Sequence, residues 1–145
     1  MPRQTGGLTR PMEQLLRHGP EGSDPRVLIV PPLFEEANRL RRTLVQTMRA
    51  LADRGVASLL PDLPGQNESL VPTVAVDLNQ WRSGLADVVA AEPGPVLIAS
   101  LRGGALVDDG ADAAGWWRLA PVPGATLLRT MLRARVASDR EAGID

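Results

Sequence analysis

The residues best placed for chemistry lie in one stretch, Val96-Leu97-Ile98-Ala99-Ser100-Leu101-Arg102-Gly103-Gly104-Ala105-Leu106, where an apolar run enters a turn of small residues and a short helix begins. Such a strand–turn–helix junction is a nucleophile elbow. It thrusts its central residue out at the apex, and small residues two before and two after relieve the crowding. With Arg102 central, Ser100 and Gly104 fill the two small positions. The apex then carries a guanidinium, which stays protonated, cannot attack a carbonyl and suits an anion or carboxylate instead. With Ser100 central, its hydroxyl would be the nucleophile, but bulky Ile98 and Arg102 would flank it. Ser100 is thus the candidate catalytic residue, and Arg102 with Gly103 the candidate anion clamp. The plainer readings are a helix-capping hydroxyl for Ser100 and a salt bridge to a nearby carboxylate for Arg102.

Other groups are weaker candidates. Glu35 and Glu36 precede a helical pattern, where they favour its dipole, and could also pair with Arg102. Asp62 follows an apolar run and suits a turn. Asp108, Asp109 and Asp112 do not follow the ordered spacing of a calcium loop and read as a solvated loop. Trp116-Trp117 suits sheet packing with a rim contact, and a ligand platform is the alternative. His18 reads as a surface residue.

Alternating apolar runs and amphipathic stretches must position these groups. Val27–Val30, Val56–Leu60, Val96–Ala99 and Trp116–Ala120 read as strands. The first three lack alternation, as strands covered on both faces do. Leu40, Leu44, Met48 and Leu51 form one stripe of a helix over Glu35–Arg54, closed by Gly55 as a C-cap. Val74, Leu78, Trp81, Leu85 and Val88 form another over Val74–Ala91. Gly103–Val107 starts a short helix and Thr126–Ala137 a last one. Before Val27 the sequence predicts a weakly structured lead-in, residues 1–25, with a helical turn at Met12–Arg17. Residues 26–145 form the domain. Strand–helix alternation implies right-handed crossovers and a parallel sheet, whose sites form beyond the carboxyl ends of the strands.

Composition narrows the choices. The 145 residues suit one domain. The absence of cysteine and the single histidine remove thiol nucleophiles, thiolate metal sites and multi-histidine centres. All 16 basic residues are arginine, so lysine chemistry is absent. A formal charge of −1 and 3% aromatics give no pull toward nucleic acid. No run reaches the ~18–20 apolar residues of a membrane span, and the first 25 residues lack a signal-peptide core, so a cytoplasmic protein without metal or cofactor is expected.

Three segments together resemble the α/β-hydrolase superfamily, and within it the hydrolases associated with exosortase A systems, hydrolase 2 type. Pro31-Pro32-Leu33-Phe34-Glu35-Glu36-Ala37-Asn38-Arg39-Leu40-Arg41-Arg42 resembles that type's PPFxEExNxxRR signature. Pro61-Asp62-Leu63-Pro64-Gly65, with Ser69 after it, resembles the PDLPGxGxS loop, although Gln66-Asn67-Glu68 replaces the usual small residues. Ser100-Leu101-Arg102-Gly103-Gly104-Ala105 is similar to the GLRxGA elbow, in which arginine likewise replaces serine. The resemblance spans Val27 to Ser138. It implies part of an oxyanion hole at the Leu33-Phe34 backbone, and a setting in exopolysaccharide production and PEP-CTERM protein sorting. It also implies an incomplete hydrolase core, without the later strands that carry the acid and the histidine.

The expected fold is therefore α/β, a partial α/β-hydrolase core with a short, mostly parallel sheet of about four strands and helices on both faces. The strands should lie in the spatial order second, first, third, fourth. The ligand set is Arg102, Gly103, Leu33, Phe34 and Glu35, for a small-molecule ligand or an acyl substrate. Two functions stay open: an ester or thioester hydrolase, or a non-catalytic anion-binding module. The sheet edge left after Trp116–Ala120 predicts pairing into a homodimer, since open edges invite partners.

Overall fold

The computed structural model describes residues 15–66 and 69–144. It contains strands β1 (Leu15–His18), β2 (Arg26–Val30), β3 (Ser58–Pro61), β4 (Val96–Leu101) and β5 (Gly115–Leu119), and helices α1 (Glu35–Ala52), α2 (Leu78–Ala91) and α3 (Gly124–Glu141). Short 3-10 turns cover Thr73–Ala75 and Arg102–Leu106. The five strands form one sheet in the order β1-β3-β2-β4-β5.

The four expected strands keep their expected order and run parallel. The sheet nevertheless has five strands and is mixed, because Leu15–His18 pairs antiparallel with the outer edge of β3. That strand stands where a helical turn was expected, the Met12–Gln14 part of which lies outside the described residues. Its identity comes from its partner: Leu16 and Leu15 each add to a core already present, and tertiary context overrides a weak local preference.

Alternation along the strands splits the core in two. Leu28, Val30, Leu59, Val96 and Ile98 face α2, packing with Trp81, Leu85, Val88 and Val89. Ile29 and Leu60 face α1, packing with Leu44 and Met48. Helices thus lie on both faces, and the continuous apolar runs of β2 and β3 follow from double coverage; β4, expected to be covered on both faces, instead leaves Leu97 exposed on the α1 side, beyond the reach of α1. Gly55 closes α1 at φ +77, its N–H donating to the Ala52 carbonyl at 2.9 Å. The second helix starts later than its apolar stripe suggests. Asp77 and Gln80 form a reciprocal capping box, and Val74 and Leu78 are left exposed. Asp-x-x-Gln is the local signal that fixes this start. No residue of α3 is buried; Leu127 alone reaches the α2-side core as a half-buried fringe. No described helix is long and apolar enough to cross a membrane.

Candidate functional site

Backbone strain marks one end of the molecule. Among the described residues, three non-glycine residues adopt positive φ: Phe34 (+61), Arg102 (+53) and Ala120 (+44). They follow β2, β4 and β5, at the carboxyl edge of the sheet. Left-handed backbone costs a side-chain-bearing residue of order 1–3 kcal/mol and clusters at functional sites. The strain therefore points to the same edge as the topology.

The elbow takes the register centred on Arg102. Arg102 carries the positive φ, and the residue two positions on must be glycine. A Cβ on Gly104 would come within 2.8 Å of the Val30 carbonyl oxygen, and nearer still to that of Pro31. A Cβ on Gly103 would meet only the Leu33 side chain, at 3.3 Å. The turn thus sits on the backbone that leaves β2. The Arg102 Nε donates to Glu36 Oε1 at 2.9 Å. The Arg102 side chain is 44% exposed, so the clamp is an open shelf with donors to spare, and Glu36 occupies one of its five N–H groups.

Ser100 points the other way. It is fully buried, and its hydroxyl donates to Asp108 Oδ2. Asp108, also fully buried, accepts a fork from Arg118, with Nη2 to Oδ1 at 2.7 Å and Nε to Oδ2 at 3.0 Å. Hydrogen bonding first and Coulombic attraction second raise the Arg118 pKa further above its usual value. The Asp108 carbonyl accepts from Trp116 Nε1 at 2.9 Å. This cluster stitches β4, β5 and the connection between them. It corrects two expectations. Asp108 does not belong to a solvated loop, because the desolvated carboxylate is fully engaged by Ser100 and Arg118. Ser100 does not cap the following turn either, since its hydroxyl is spent on Asp108. Nothing in the spacing of Ser100, Asp108 and Arg118 signals the cluster; β4–β5 register alone brings Ser100 opposite Arg118.

Of the remaining ligand candidates, Leu33 is a buried core side chain. Phe34 packs edge-on against Trp81, ring centroids 5.9 Å apart, and Trp81 in turn donates to the Pro64 carbonyl at 2.8 Å. The Phe34 backbone N–H donates to Gln66 Oε1 at 3.3 Å. Gln66 is buried, and its Nε2 has no partner among the described residues. Sequence reasoning missed Gln66, whose only mark is an amide where the resembled loop has small residues. Glu35 does not reach Arg102. It is exposed and pairs with Arg39 one turn along α1, at 3.6 Å, because its side chain leaves the first turn of α1 on another bearing from Glu36. Asp62 is held by Arg41 Nη1 at 2.5 Å.

His18 cannot serve the elbow. Its register opposite Ser58, at the start of β3, places it at the amino edge of the parallel strands, whereas the elbow lies at the carboxyl edge. No group of three or more acidic or histidine side chains that could hold a metal occurs among the described residues. Compared with known proteins, the chain matches no family model, no curated protein and no solved structure.

Proposed function

We propose that the protein is a non-hydrolytic binding module on an α/β-hydrolase-like framework, which holds the anionic group of a small-molecule ligand at Arg102. The observation that carries this reading is the half-exposed guanidinium at the apex of a strained elbow, over a serine sealed inside. A guanidinium offers a carboxylate or phosphate two parallel N–H donors. Hydrolysis of an ester or thioester would need an accessible hydroxyl and a base; Ser100 is bonded to a carboxylate and His18 lies across the sheet. The resemblance to exosortase A-associated hydrolases supports a setting in exopolysaccharide production and protein sorting; the cytoplasm is the proposed location.

The test pairs binding with turnover. Citrate, phosphate and octanoate are screened as probes by thermal denaturation. A probe at about ten times its Kd stabilises by ~1.4 kcal/mol, several degrees in Tm for a chain of this size. At least one should do so with the parent protein and not with Arg102→Ala. Hydrolysis of p-nitrophenyl acetate should be absent. Turnover abolished by Ser100→Ala would overturn the reading.

A further inference from the structure

The surface of β5 and α3 is anomalous for a solitary chain. β5 is the last strand in the sheet order and bonds to β4 on one edge only, among the described residues. It exposes Trp116, Trp117 and Leu119, with Trp117 at 60%. The next element, α3, exposes Leu128, Met131, Leu132 and Val136, a single stripe at spacings of three and four. Summed over both faces of the β5 edge, these residues leave roughly 700–800 Å² open, Trp116 and the α3 stripe on the α2 side and Trp117 with Leu119 on the other, against the ~800 Å² that each partner of a standard interface buries.

We infer that a second copy of this chain covers this surface, paired antiparallel through β5 about a two-fold axis that passes Trp117 normal to the sheet. The strand's own sequence selects that register. Rotation about Trp117 sets Gly115 opposite Leu119, Trp116 opposite Arg118, and Trp117 opposite its own copy. The smallest residue then faces a large one, and a guanidinium already fixed by Asp108 lies beside an indole ring, a favourable cation–π pair. The two Trp117 rings form a cross-strand aromatic pair. An axis at Arg118 would oppose two guanidiniums, which repel; an axis at Trp116 would set Trp117 against Gly115.

Side-chain alternation supports the rest of the interface. Ile98 pairs with Trp116 and Ser100 with Arg118, so Trp116 and Arg118 face the α2 side, where α3 begins with Leu127 against the core. A two-fold axis normal to the sheet keeps that face common to both copies. The two α3 helices therefore lie on one side of the joined sheet. The interface is isologous and closes at two chains. It does not depend on what Arg102 binds, which lies at the carboxyl edge.

Sedimentation equilibrium at micromolar concentration tests this directly. The parent protein should have twice the mass of the chain, with no larger species. Trp117→Glu and Trp117→Arg should each run as monomers, because each places like charges opposite one another. An equimolar mixture of the two should recover the dimer, since only a register centred on residue 117 makes that residue its own partner. Circular dichroism checks that both variants fold. A second route does not need charge at the strand. The chain has no cysteine, so Trp117→Cys provides a single thiol. Residues directly opposite in antiparallel strands have Cα atoms about 4.5–5.5 Å apart, within disulfide range. Mild oxidation should cross-link Trp117→Cys far more than Val74→Cys, a control at a position 97% exposed. A monomeric parent, an open-ended series of oligomers, a mixture that stays monomeric, or cross-linking no higher than the control would each overturn the inference.

Discussion

Ser100 is the residue whose removal separates a structural hydroxyl from a catalytic one. Its hydroxyl bonds a buried carboxylate, and a hydrogen bond to a charged partner contributes about 1.5–3 kcal/mol net. Ser100→Ala leaves the Arg118 fork on Asp108 intact, so the expected loss is at the low end, ~1.5–2 kcal/mol. Asp108→Ala is more damaging, because it strands the Ser100 hydroxyl in the core at ~1–3 kcal/mol and frees Arg118. The Arg118 side chain is 44% exposed. It can return to water, so the lost ion pair adds only ~1 kcal/mol after screening. A total near 3 kcal/mol is expected, against a typical stability of about 5–15 kcal/mol. Because the two residues share one bond, the double variant should lose less than the sum, with a coupling of about 1–2 kcal/mol. Urea unfolding in the Trp117→Glu background, where the dimer is expected to be absent, measures all three. If Ser100→Ala stays within 0.5 kcal/mol of the parent and Asp108→Ala costs under ~1 kcal/mol, the cluster does not hold β4 to β5.

Two further outcomes follow from the elbow. Gly104→Ala forces a methyl against backbone carbonyls that cannot turn aside and should cost ~2–3 kcal/mol, whereas Gly103→Ala meets only the flexible Leu33 and should cost under ~1 kcal/mol; equal costs in urea unfolding would refute the close approach. Arg102→Gly removes a left-handed strain of order 1 kcal/mol and a largely solvated pair with Glu36 worth about 0–1 kcal/mol. Its stability should therefore equal or slightly exceed the parent's while the anionic probes no longer bind; a loss above ~1 kcal/mol would show the backbone argument to be wrong.

The legible parts of the fold were those where a period and a stop signal agree. Val27–Val30 carries an unbroken apolar run because both its faces are covered, whereas Val96–Ala99 carries one although Leu97 is exposed on its α1 side. Leu44 and Met48 follow a helical stripe because only one side of α1 meets the sheet. Gly55 stops α1 as its position predicts. β1 was not legible, since four residues between glycines, prolines and charges hold no period, and only the edge of β3 makes them a strand. At the site, the small residues around Arg102 set the elbow register, and the arginine–carboxylate pair was among the alternatives. The sequence pattern did not distinguish Glu35 from Glu36. They are adjacent on a helix, and about 100° of rotation decides which one faces the turn. The Ser100–Asp108–Arg118 cluster was hidden for a related reason: its members meet through strand register, which spacing along the chain does not encode.

The placement of strain sharpens the case for Arg102 as the working group. Of the three non-glycine residues at positive φ, Phe34 is braced by Trp81 and by Gln66 on its N–H. Arg102 is braced from below, by the seat of Gly104 on the β2 exit and by Ser100 two residues before it, locked to Asp108. The surroundings therefore over-determine the apex backbone, and a glycine there would satisfy it without strain. An arginine at such a point makes the turn less stable than it need be, in return for a single exposed cation on a rigid mount. Pre-organisation of this kind lowers the entropy lost when a ligand is clamped, whereas the same side chain on a mobile loop would lose rotamer freedom on binding. Glu36 takes the Nε, and the Arg102 side chain stays 44% exposed. On the proposed reading a ligand carboxylate need not displace the internal carboxylate to be held, which would distinguish a binding shelf from a salt bridge that merely closes the turn.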